Sequence, residues 1–184
     1  MKKMDEQELA RYCSQGDRIA QDELYRRYAA RLETLCRRYL GDRDEAKDLM
    51  LDTLIQALEK MDTYKYSGKG SLYAWLSRIA VNKAINRIKR YRWRMIPLDP
   101  LIKDDIPEPT EEEMAMVPPE KLREWIAALP DLRRTVFNLY CIDGHSHKEI
   151  AGMLRISERG STSVLSKAKK QLKEQIKHYL KTQE

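Results

Sequence analysis

The chain has 184 residues, enough for one compact domain or two small ones, and it holds only 7 Gly and a single Phe among 10 Tyr. Ala, Leu, Arg, Lys and Glu dominate, which favours an all-α protein. The net charge of +6 points towards an acidic partner, most often nucleic acid. Cys13, Cys36 and Cys141 are odd in number and widely spaced, with no C-x-x-C or zinc pattern, so they read as free thiols in a reducing cytoplasm. The opening MKKMDEQELARYC lacks the apolar core of a signal peptide. No run of about 18 apolar residues predicts a membrane span.

In chain order, Leu24, Tyr25, Tyr28, Leu32, Leu35, Cys36 and Tyr39 recur at helical spacing, and Gly41-Asp42 breaks that helix. Ala46, Leu49, Met50, Thr53, Leu54, Ala57, Leu58 and Met61 form a second apolar stripe. Asp48 and Asp52 fall outside it, four apart, beside Leu51. On their own they read as solvated acids; a docking face for a basic partner is the alternative. DTYKYSGKG (62–70) reads as a loop, and a third helix runs from about Ser71 to Trp93. Ser71, Trp75, Arg78, Asn82, Asn86 and Lys89 share one face of it. From Arg78 to Arg94 there are seven bases, Arg90 among them, and no acid; Tyr64, Tyr66 and Tyr73 lie just before. Cations beside aromatic rings suit opened or single-stranded DNA, where phosphates are held and unpaired bases stack. Any one of these rings could instead be a core residue.

Between Pro97 and Pro119 lie six of the seven prolines, seven acids and one base, Lys103. Proline blocks helix and like charges repel, so this reads as an extended acidic linker. Four helical segments follow: Glu120–Leu129, ended by Pro130; Asp131–Cys141, closed by Asp143-Gly144; 147–154; and about Glu158 to Leu180. Ser146 with Glu149 is a capping box, and Ser157 is a good N-cap for the last helix. A two-turn helix, a three-residue turn and a long basic helix have helix-turn-helix spacing. Ser161, Leu165, Ala168, Leu172 and Ile176 would face the core; Arg159, Thr162, Ser163, Ser166, Lys167 and Lys170 would face a DNA groove. An ordinary helical hairpin with a solvated basic face is the alternative. His145 and His147 flank Ser146 without a third ligand nearby, so no metal site is expected.

The predicted architecture is all-α: two small helical domains, 1–94 and 120–184, joined by a flexible acidic linker, 95–119, with a helix-turn-helix in the C-terminal domain. DEAKDLMLDTLIQAL, SLYAWLSRIAVNKAINRIKR and LPDLRRTVFNLYCIDGHSHKEIAGMLRIS, in that order around such a linker, resemble a bacterial RNA polymerase sigma factor of the extracytoplasmic-function (ECF) type. The resemblance implies a cytoplasmic transcription initiation factor whose partners are core RNA polymerase and promoter DNA, and relatives often have an anti-sigma factor. It implies that Asp48, Leu51 and Asp52 face the core enzyme, Leu51 standing where Gln is usual. Tyr64, Trp75, Arg78, Asn82, Asn86, Lys89 and Arg90 would melt and read the minus-ten element, and the polar face of the last helix the minus-thirty-five element. Arg155 stands where Gly usually makes the turn, and Gly160, Thr162 and Val164 replace a commoner T-x-K-x-R pattern. The runner-up is a stand-alone helix-turn-helix regulator of duplex DNA. An enzyme such as a nuclease would need preorganised carboxylates or a nucleophile and base. The acids concentrate in a Pro-rich segment, which cannot preorganise a site, and the three His suggest no triad, so neither catalytic residues nor a cofactor are expected.

Overall fold

The computed structural model of the chain describes residues 4–92 and 107–182. Among them are nine α-helices and no strand. They divide into two compact units between Arg87 and Ile88.

The N-terminal unit opens with α1 (Glu6–Ser14). Asp5 and Glu8 close a capping box at its start, and Leu9, Ala10 and Cys13 form its buried face. Helix α2 (Arg18–Leu40) is capped by Asp17 and ends at Gly41, whose φ of 78° is one that an L side chain rarely adopts. Helix α3 (Arg43–Glu59) follows, capped by Asp42. It packs along α2, burying Ala46, Leu49, Met50, Thr53, Leu54 and Ala57. That is the predicted stripe, except that Leu58 is only half-buried. A 3-10 turn over Met61–Thr63 and an irregular loop lead into α4 (Ser71–Arg92). Leu72, Leu76, Ala80, Val81, Ala84 and Ile85 form the buried side of α4. Arg87 Nη1 donates to the Glu45 carbonyl at 3.1 Å, fastening α4 to the start of α3.

Trp93, Arg94 and linker residues 95–106 lie outside the described residues. The rest of the segment expected to be extended carries a short helix, α5 (Glu111–Ala115). Thr110 and Glu113 form its capping box, and three Glu fill the first turn, where the helix dipole favours negative charge. Local capping thus outweighs the repulsion between neighbouring acids. Glu108 pairs with Lys173 at 2.9 Å, and that lysine is buried.

Helices α6 (Pro119–Ala128) and α7 (Asp131–Phe137) each start at or just after proline, which suits a helical first turn. Between them Arg134, 4% exposed, donates through Nη1 to the Ala127 and Leu129 carbonyls, each at 2.8 Å, and pairs with Asp131. One guanidinium therefore satisfies carbonyls that the end of α6 leaves open. Where a helix to Cys141 was expected, α7 widens into a π-turn over Asn138–Ile142. Helix α8 (His147–Leu154) has the predicted Ser146–Glu149 box. The Ser146 N–H and hydroxyl hold the Glu149 carboxyl below its ordinary value. Arg155 makes the turn in the left-handed region, φ 56° and ψ 44°, the only non-glycine at positive φ among the described residues. Helix α9 (Glu158–Lys181) then packs against α6, α7 and α8. Leu129, Ala168 and Leu172 centre this core, with Trp125, Ile126 and Phe137 against them.

Candidate nucleic-acid interface

On α4 the buried side leaves the opposite face to solvent. Arg78, Asn82, Asn86 and Arg90 are exposed along it; Trp75 and Lys89 are half-buried at its margins. Asn82 and Asn86, one turn apart, each present an amide that can both donate to and accept from a base edge. The structure brings Tyr64 to this face. Its ring lies 5.5 Å from Trp75 at 52°, and its hydroxyl shares a 2.6 Å hydrogen bond with Ser71 Oγ. Burial holds the Tyr64 phenol above its ordinary value. The three tyrosines divide: Tyr64 joins Trp75, Tyr66 is exposed, and Tyr73 stacks on Tyr28 of α2 at 6.2 Å with Arg31 over it at 3.8 Å. Tyr73 is therefore a packing residue.

The outer ridge of α3 carries Asp48, Leu51 and Asp52, all exposed, and continues into Ile55. Leu51 is 39% and Ile55 57% exposed, so two large apolar side chains are interleaved with two carboxylates. Ile55 escaped the sequence reading. Its signal was present: it follows Leu51 by four residues and falls outside the buried stripe.

On α9, Ser161, Leu165, Ala168, Leu172 and Ile176 are buried, as their spacing requires. Of the opposite face, Arg159 and Thr162 are exposed, and Ser166, Lys167 and Lys170 are half-buried. Ser163 departs from the expected exposed row, at 6% exposed. Its hydroxymethyl reaches less far than Arg159 and Lys167, one turn away on either side. Thr162 Oγ1 donates back to the Glu158 carbonyl at 3.2 Å, which leaves its methyl group and oxygen lone pairs for a partner. Ser157 accepts from the Gly160 N–H at 2.9 Å, steadying a helix start that Gly160 would otherwise weaken. His147 Nδ1 and Ser161 Oγ lie 2.9 Å apart, and the imidazole stacks on Tyr140 at 4.5 Å. His147 thus joins α8 to α9. Among the described residues no group of three or more His, Cys, Asp or Glu is placed to hold a metal ion.

The chain thus exposes an amide-and-cation face beside aromatics on α4, and carries a hydroxyl-and-cation face on the second helix of a helix-turn-helix. The Sigma-70 region 2 family matches residues 24–94, and the Sigma-70 region 4 family matches residues 120–172. The ECF RNA polymerase sigma-E factor of Haemophilus influenzae is 26% identical over 82% of this chain and 84% of its own length. The RNA polymerase sigma-H factor of Pseudomonas aeruginosa is 28% identical over 82% of each chain. SigM of Bacillus subtilis, also an ECF RNA polymerase sigma factor, is 26% identical over 83% of this chain and 92% of its own. The chain belongs to the sigma-70 family, as a sigma factor of the extracytoplasmic-function type. It is a transcription initiation factor. A stand-alone regulator would need only the helix-turn-helix and would leave the matched N-terminal region without a purpose. No helix among the described residues is long and apolar enough to cross a membrane.

Proposed function

We propose that this chain works in the cytoplasm as a non-catalytic factor that binds core RNA polymerase and places it on promoters, with 1–94, 95–119 and 120–184 as its working parts. The α3 ridge of Asp48, Leu51, Asp52 and Ile55 docks on a basic, partly apolar surface of the core enzyme. Charge complementarity sets the encounter and the apolar pair is covered in the complex. Tyr64, Trp75, Arg78, Asn82, Asn86, Lys89 and Arg90 hold and read the opened minus-ten element. Tyr64 and Trp75 offer aromatic surface for an unpaired base, the asparagines meet base edges, and the cations meet phosphate. Arg159, Thr162, Ser166, Lys167 and Lys170 contact the minus-thirty-five element in the major groove, with Ser163 at most a marginal contributor.

The observation that carries this reading is the presence, in one sigma-70 chain, of an exposed amide face on α4 and a basic face on a helix-turn-helix. Purified chain added to core RNA polymerase should produce discrete start sites from a genomic template library. Random initiation identical to that of core alone would sink the reading.

A further inference from the structure

Residues 1–23 precede the stretch that matches region 2. Helix α1 lies there, and its first residue reaches a distant part of the chain. The Glu6 side chain is half-buried, and its Oε2 accepts from the Gly70 N–H at 2.9 Å and the Leu72 N–H at 3.2 Å. Its Oε1 accepts from the Tyr28 hydroxyl at 3.1 Å. Gly70 and Leu72 flank Ser71, the first residue of α4. N–H groups in a helix's first turn lack intrahelical partners and are usually met by a side chain immediately before the helix. Here that residue is glycine, at φ 92°, and has no side chain to offer. The Ser71 hydroxyl is engaged elsewhere, with Tyr64 and with the Ser67 N–H at 3.3 Å. So α4 takes its capping carboxylate from a residue 64 positions upstream, and the negative charge also suits the helix dipole.

The same carboxylate controls a second support. Tyr28 is 3% exposed, and burial, then the Glu6 charge, pushes its phenol up to about 12, so it is a donor at neutral pH. Its ring stacks on Tyr73 in the first turn of α4, with Arg31 on that same ring. Glu6 therefore fixes the backbone around Ser71 directly and Tyr73 through Tyr28. Tyr64 is referenced to that point by its bond to Ser71, and to Trp75 by ring contact.

We infer that Glu6 is a positioning residue for minus-ten recognition, setting the start of α4 and with it the Tyr64–Trp75 pair. This rests on the proposal that α4 reads the minus-ten element. It predicts that Glu6→Ala slows promoter opening about ten-fold, the scale of a lost helix cap, and flattens minus-ten preference. Core affinity and minus-thirty-five preference should stay within about two-fold, since neither face depends on that cap. Glu6→Gln keeps a carbonyl for the two N–H groups and an NH2 that can donate to the Tyr28 oxygen, reversing that bond, and should recover opening to within about three-fold of the parent.

The experiment uses the full chain with core polymerase on promoters randomised at both elements, with Asn82→Ala alongside, and amide hydrogen exchange on the free chain. The expected exchange result is faster exchange at Gly70 and Leu72 in Glu6→Ala, with the middle of α4 unchanged. If Asn82→Ala alters minus-ten preference while Glu6→Ala leaves preference and opening at parental values, the inference is overturned and the minus-ten reading survives. If Glu6→Ala raises exchange throughout the N-terminal unit and weakens core binding equally, Glu6 only stabilises the fold, and the inference is again overturned. If Asn82→Ala itself leaves minus-ten preference intact, the reading beneath the inference has failed, and the inference falls with it.

Discussion

The two helices proposed to read DNA begin in different ways. Helix α9 is capped by the residue just before it, Ser157, and is tied to α8 through His147 and Ser161, fourteen positions apart. Helix α4 follows a glycine and is capped by Glu6 from another helix. The first start is a property of a short peptide. The second exists only once α1, α2 and α4 have come together. A reader of opened DNA must hold aromatic rings and amides in one geometry against strand separation. A reader of closed duplex needs a helix seated in a groove, which a compact helix-turn-helix supplies by itself.

The contrast extends to the thiols, which give the largest expected effect. In the N-terminal unit burial pushes the Cys13 thiol up to about 11 and the Cys36 thiol up to about 12. In the C-terminal unit Cys141 is exposed; partial burial of its sulfur raises its thiol, and the Lys169 charge works against that. Because the thiolate is the reactive form and must be reached by the reagent, an alkylating reagent near pH 8 should modify the exposed Cys141 far faster than the buried Cys13 and Cys36. Mass spectrometry of the labelled chain gives the rates. Comparable rates would mean that the N-terminal core opens readily.

Next in size is the α3 ridge. Asp48→Arg with Asp52→Arg should weaken core binding at least about ten-fold, because attraction is replaced by repulsion. The thermal transition of the N-terminal unit should be unchanged, since both positions are exposed. Competition against the parent chain for core polymerase measures the first, and calorimetry the second. Unchanged affinity would return these acids to ordinary solvated residues.

A smaller effect tests the local cap. Ser157→Ala should cost about 1 kcal/mol, confined to the C-terminal unit. Amide exchange should rise at the start of α9 and stay unchanged in α4. A loss spread over both units would show that the caps are not independent.

These contrasts also mark what the sequence could reveal. The starts of α8 and α9 were legible because Ser146, Glu149 and Ser157 act on N–H groups within three residues. The left-handed turn at Arg155 was legible through the resemblance, in which Gly usually stands there. The α3 ridge followed from the buried stripe, and Ile55 would have followed from the same rule. Helix α5 was hidden by proline and acid content, although Thr110 and Glu113 spell a capping box. The π-turn at Asn138–Ile142 gave no periodic signal. Neither did Glu6: unlike Glu8, which completes a capping box with Asp5, it has no local pattern, and its partners lie 22 to 66 positions away. Ser163 shows the limit of face arguments, since a residue on the outward row need not reach solvent.

The most direct test of the account is a promoter library randomised at both elements, transcribed by core polymerase with the parent chain, Asn82→Ala and Lys167→Ala at several salt concentrations. Asn82→Ala should relax discrimination at one minus-ten position by about 1–3 kcal/mol, the value of a good base contact. Lys167→Ala should weaken minus-thirty-five binding evenly across sequences and reduce the salt slope by about one unit, as the loss of one phosphate contact does. Minus-ten preferences that survive Asn82→Ala, or a Lys167→Ala change confined to one base with the salt slope unmoved, would contradict the assignment of α4 and α9 to these two tasks.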